Sequence, residues 1–291
     1  MFRTSNPAFR QEAFAPTQTW ESFDAPSRAA SSASAESAVA ATRAQARPQT
    51  MTISGVVHRT WFLLALCVIT SMFAWNIVLA PDPILSPGLL LFGGAIIGLI
   101  TGLICIFNPR SAPITAPIYA VSQGAFVGAI SAFYALRFAP KPDAHTSAIS
   151  LNTGLILNAA LLTFGILGGL LAGYSTGLIR PGPWFRKALI TAMIGVLFYG
   201  LIAFVASLLG APGLASVYDP SNGGLVSVGF SLLLVAIASA NFVLDFEFVE
   251  RGVRNKAPRY LEWYAGFGIL VTMIWLYLEL LRLLSKLQRR D

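Results

Sequence analysis

The sequence predicts an all-α integral membrane protein, a bundle of seven transmembrane helices behind a disordered N-terminal tail. Three observations lead there. Of the 291 residues, 55% are hydrophobic and only 11% charged, with a mean hydropathy of +0.67; a soluble domain carries about a quarter charged residues. Apolar segments near the ~20 residues that cross a bilayer recur from Val56 onward. The first 52 residues have a different composition altogether.

Residues 1–52 are rich in Ala, Ser, Thr, Gln and Pro with scattered arginines, as in "APSRAASSASAESAVAATRAQARPQT". Such a segment cannot bury enough apolar area to offset the entropy of ordering it, so it is expected to be a disordered tail. It does not read as a signal peptide, because no apolar core follows close behind its first charges. The transmembrane domain is expected over residues 53–291, with apolar segments at 56–79, 88–107, 115–138, 150–177, 187–209, 224–248 and 261–284. The connections carry Pro, Gly, Asn and Asp, as in "APDPILSPG" and "NPRSAP". In lipid each segment must satisfy its own backbone hydrogen bonds, which makes the segments helices. Glycines four apart share a helix face and let neighbours approach closely. Gly94, Gly98 and Gly102 in the second segment and Gly165, Gly169, Gly173 and Gly177 in the fourth are read as packing faces.

The net charge of +7 marks loops that stay inside the cell rather than a nucleic-acid surface. With the tail cytoplasmic, that side collects the tail arginines, Arg59, Arg110, Arg180, Arg186, Lys187, Arg251, Arg254, Lys256 and Arg259. The opposite loops hold Arg137 and Lys141; an odd helix count also puts the four cations of the end "LLRLLSKLQRRD" there, so either the charge rule is overridden at the last helix or one segment is re-entrant. The reading is a multi-pass protein of the cell membrane with a cytoplasmic N-terminus. Cys67 and Cys105 both lie in apolar runs, which argues against a disulfide or a thiolate metal site. His58 and His145 fall at opposite faces, and no HExxH or phosphate-cradling loop occurs. Neither enzymatic chemistry nor a cofactor is expected.

Acids at membrane depth are the candidates for function, because an ionisable group there is costly and marks an ion path or proton relay. In "ANFVLDFEFVE" an uncharged run takes on Asp245, Glu247 and Glu250. Ser227, Ser231, Ala238, Asn241 and Asp245 recur at spacings of three, four or seven and form one small, polar face. Asp245 is thus the acid that looks into the bundle, with Asn241 behind it. Glu247 points roughly the other way, and Glu250 reads as solvated. Ala265, Gly268, Thr272, Glu279, Arg282 and Lys286 form a second stripe in the last segment. Glu279 serves there as a functional acid or as the partner of Arg282 three residues on. Glu262, in "RYLEWY", reads as an acid at the cytoplasmic boundary beside the interfacial anchors Trp263 and Tyr264.

The opening "FRTSNPAF", the "PITAPIYAVSQGAFVGAIS" of the third segment and the end "DFEFVERGVRNKAPRYLEWYAGFGILVTMIWLYLELLRLL" together resemble the bacterial YccA-like branch of the Bax inhibitor-1 family. The resemblance covers the chain except roughly residues 10–50. It implies seven helices with the last one central, and a pH-sensitive cation leak described chiefly for calcium. It also implies two acids, one on each of the last two helices, that share a proton, with an arginine after the second helix as their latch. Carried over, "VLDFEFV" gives Asp245, "LYLELL" gives Glu279, and "FNPRSAP" gives Arg110 as the latch. The chain departs from the pattern at Glu279, where Asp is usual, at Gln123, where Glu is common, and at Ser54-Gly55, where an acidic pair is common. Depth also matters. In antiparallel helices with the expected bounds, Glu279 lies roughly 25 Å past the start of its helix and Asp245 about 6 Å before the end of its own. Glu262 matches Asp245 better and stays open as the alternative partner. The resemblance equally allows a non-conducting regulator that binds partner proteins such as a membrane-bound protease. The expected partners are therefore the lipid bilayer, a cation and, on the second reading, a membrane protein.

Overall fold

The computed structural model describes residues 50–80, 82, 85–139, 151–210 and 212–288. The expectation of a disordered tail therefore lies outside the described residues up to Gln49. The chain folds into α1 (Ile53–Leu79), α2 (Pro87–Phe107), α3 (Ala112–Arg137), α4 (Thr153–Ser175), α5 (Pro183–Leu208), α6 (Leu225–Arg254) and α7 (Leu261–Leu287). All seven are long and apolar enough to cross a membrane. Short 3₁₀ turns at Pro109–Ser111 and Pro212–Val217 precede α3 and α6.

Local chemistry sets the ends. Side chains of Thr52, Ser86 and Asn152 accept hydrogen bonds from the first turns of α1, α2 and α4, satisfying donors that a helix start leaves open. Proline lies in the first turns of α2, α3 and α5, where a missing N–H costs nothing. α6 runs to Arg254, six residues beyond the expected end, because Glu247–Arg251 and Glu250–Arg254 pair four residues apart and carry the helix through its charged turn.

The helices alternate in direction. α7 packs against α1, α3, α4 and α6 and is the central element. About half of the most apolar stretch of α3, α6 and α7 is buried, against a quarter or less for the other four. The glycines of α2 act as expected: a Cβ at Gly94 would lie 2.7 Å from the Ser122 carbonyl oxygen of α3. The closest backbone approach is at another pair four apart, one that the sequence reading did not single out: Gly124 and Gly128 of α3 lie against the Cys67 and Ser71 carbonyls of α1. The α4 face is a correction. A Cβ at Gly165 or Gly169 would meet nothing within 4 Å, and one at Gly173 would meet only Ile179, just beyond its own helix. A row of glycines makes a packing face only where another helix lies on it, and among the described residues none lies on Gly165 or Gly169.

The start of the bundle is tied to its end. Thr50 bridges Pro258, the Met51 amide donates to the Ala257 carbonyl at 2.7 Å, and the Met51 side chain is buried. Thr50–Thr52, which composition assigns to the tail, thus pack on the α6–α7 connection.

Candidate functional site

Asp245 sits nine residues before the end of α6, about 13 Å inside it rather than near its mouth. The antiparallel crossing of α6 and α7 brings it to Gly268 and Thr272. The Thr272 hydroxyl donates to Asp245 Oδ2 at 2.7 Å, and the Asn241 side-chain amide donates to Thr272 Oγ1 at 2.9 Å. The Gly268 carbonyl lies 3.2 Å from the same Thr272 oxygen. Thr272 has one hydrogen to give and two acceptors within reach, so it can turn between the carboxylate and the backbone. Asp245 is half-buried and forms no ion pair among the described residues.

The other acids are each engaged elsewhere. Glu279 lies seven residues past Thr272, about 10 Å further along α7, and is held by Arg282 at 2.7 and 2.8 Å. The Arg282 guanidinium also lies 5.4 Å from the Tyr218 ring centre. Burial pushes the Tyr218 phenol up from its ordinary value, with Glu279 adding to the rise and Arg282 opposing it. Glu262, read as a boundary acid, is only 2% exposed. It pairs with Arg59 of α1 and, at 3.8 Å, with Arg259, and it accepts from the Thr52 amide and hydroxyl at 3.0 Å each. A Cβ on Gly55 would meet its carboxylate, so glycine makes room for it. Glu247 pairs with Arg186 of α5 and with Arg251, both at 2.6 Å. Glu250 is exposed, pairs with Arg254 and accepts from the Tyr174 hydroxyl.

Asp245 thus touches neither Glu279 nor Glu262. Arg110 is exposed on the 3₁₀ turn after α2 and pairs with no acid among the described residues, although that turn contacts α7. Two side chains that sequence reasoning did not single out are prominent. Arg59 is the cation beside an α7 acid. Lys286, on the α7 stripe, is fully buried. The stripe spacing contained Lys286; nothing local pointed to Arg59.

A cavity of about 1150 Å³ opens between α1, α4 and α6, with Ile269 and Met273 of α7 among its lining and Arg180, Arg251 and Arg254 also on it. A second, of about 610 Å³, continues between α1 and α4 and shares Leu64, Phe164 and Met273 with the first. Asp245 lines neither, while its neighbours Phe246 and Glu247 line the larger one.

Seven spanning helices, with α7 packed centrally against four of the others and ionisable side chains on its inner faces, define a multi-pass membrane protein built about a polar interior. The chain belongs to the Bax inhibitor 1 like family, whose model matches residues 6–289. No curated protein and no solved structure matches it.

Proposed function

We propose that the protein is a pH-sensitive cation leak channel, with Asp245 as the titrating gate and calcium as the cation to test first. The observation that carries this reading is the interior carboxylate that accepts from Thr272, itself held by Asn241, with no cation partner among the described residues. Ionised, Asp245 takes the Thr272 hydrogen. Protonated, it donates to Thr272 Oγ1, which keeps the Asn241 bond and turns its own hydrogen to the Gly268 carbonyl. In each state the Thr272 hydroxyl has an acceptor for its hydrogen and keeps the Asn241 bond, which lowers the cost of the exchange. Glu279 and Glu262 are held by arginines of their own, and in this reading Asp245 takes its proton alone. The charged groups nearest along α6, Glu247 and Glu250, are also paired. Arg110, exposed and without an acid, is the cation available to pair with the gate when the turn beside α7 shifts. The basic residues gathered where α1 begins support a cytoplasmic N-terminus and a place in the cell membrane.

The sign follows from charge. Deprotonation adds a negative charge that attracts a cation, so leak should rise with pH, by up to ~10-fold per unit on the lower limb of the titration. The test is calcium flux into reconstituted vesicles across pH. Asp245→Asn should flatten the profile whatever its absolute level. An Asn variant that keeps the parent's profile would remove Asp245 as the gate. Parent vesicles with no flux at any pH would favour the non-conducting regulator that binds a membrane protein.

A further inference from the structure

The other end of the α6 stripe holds an arrangement that the gate does not use. The Lys286 ammonium is fully buried. It donates to the Val217 carbonyl at 2.7 Å, the Ser231 hydroxyl at 2.8 Å and the Ser227 carbonyl at 3.2 Å. Those three bonds use all three of its hydrogens. No carboxylate pairs with it among the described residues: Glu279 is taken by Arg282, and the exposed Asp219 caps the Ser221 amide. A buried charge without a counter-ion is expensive unless its surroundings are built for it. Here they are. The Ser227 hydroxyl donates to the same Val217 carbonyl at 3.0 Å, and the Ser285 hydroxyl donates to the Arg282 carbonyl at 2.7 Å within 3.4 Å of the Pro220 carbonyl, so the connection before α6 is fixed around the ammonium.

We infer that the Val217, Ser227 and Ser231 oxygens form a binding site for a monovalent cation, which the chain fills with its own Lys286 as a tethered plug. The chemistry sets the class of ion. Calcium takes six to eight oxygens, carboxylates usually among them. This site offers three neutral ones, the kind of oxygen that replaces the hydration shell of potassium in carbonyl-lined filters. The site lies on the same face of α6 as Asp245, fourteen residues and roughly 21 Å away along the helix. Ala238 on α6 and Leu276 and Leu280 on α7 are buried in the stretch between them. The polar line is therefore closed by apolar side chains along its length and by a fixed positive charge at its end. The plug role rests on the leak reading; the site itself does not.

Lys286→Met keeps most of the apolar stem and removes the ammonium. Thermal unfolding of the variant and the parent, in lipid nanodiscs, is compared in chloride salts of potassium, ammonium and choline at equal ionic strength. Choline is too large for the site. The variant should melt several degrees higher in ammonium or potassium than in choline, by an amount growing with the logarithm of cation concentration. The parent, already occupied, should be indifferent to the salt. Lys286→Gln, with a shorter neutral side chain, should show the same dependence and serves if the Met variant does not insert. Indifference to the cation in whichever variant folds overturns the site. Potassium flux in the same variants tests the plug, which predicts more leak than in the parent; a leaking parent with an unchanged variant overturns it. Cation-dependent melting with no flux in parent or variant supports the site and overturns the leak reading instead.

Discussion

Glu262 illustrates how an acid can be buried among partners brought from three parts of the chain. Its two oxygens receive Arg59 from α1, Arg259 from the preceding turn and two donors of Thr52, while Arg59 also lies 5.2 Å from the Trp263 ring centre. Removing one partner of such a pair leaves the other uncompensated, at a cost of roughly 3–5 kcal/mol when burial is complete. Because the Arg59 side chain is 16% exposed, Glu262→Gln should cost about 3 kcal/mol, at the lower end of that range. Thermal unfolding in nanodiscs measures it, and a variant that melts with the parent would show the pair to be dispensable. The pairing was not legible in the sequence, since Thr52 and Glu262 are 210 residues apart and only packing of α1 on α7 joins them. Glu279 with Arg282 was legible, because three residues of helix bring them together unaided. Asp245 falls between: its face followed from spacing, but its partner Thr272 is set by the depth at which two helices cross.

At the scale of elements, close approach is concentrated on α3. A Cβ at Gly128 would run into the Ser71 carbonyl and the Ala74 side chain of α1, and one at Gly169 of α4 would meet nothing. Gly128→Val should therefore destabilise the bundle by about 3 kcal/mol, the upper range for overpacking, since backbone has to move. Gly169→Leu should stay within about 0.5 kcal/mol of the parent. Comparing the two variants by extraction yield and melting temperature tests both at once, and equal effects would mean that α4 carries a partner helix on that face. Hydropathy sufficed to find each helix, and glycine spacing to find a face. Which face meets a neighbour depends on the order of helices around α7, which periodicity within one helix does not encode. The end of α6 escapes hydropathy for a related reason: charge ends the apolar run at Phe248, while ion pairs along the helix continue it to Arg254.

The whole molecule is closed by a contact between the first described residues and the α6–α7 connection. Thr50, Met51 and Thr52 bridge to Pro258, Ala257 and Glu262 and cap α1. Removing residues 1–49 leaves all of this in place and should not change the melting temperature. Removing residues 1–52 deletes a buried methionine, worth about 2 kcal/mol or more, together with a helix cap worth about 1 kcal/mol. The second truncation should melt clearly below the first. Two truncations that melt alike would show that the segment adds nothing to the bundle.

The central position of α7 also bears on how the protein is made. It is the last of the seven helices to leave the ribosome, yet α1, α3, α4 and α6 all use it as a common wall. Chains are synthesised from the amino end and earlier elements fold first where they can. Here six helices must enter the bilayer before their shared neighbour exists, with Asp245 lacking Thr272 and the site around Ser231 lacking its lysine. Biogenesis is then a matter of waiting: the early helices are held loosely, open to insertases and quality-control proteases, until one final insertion completes the interior from within.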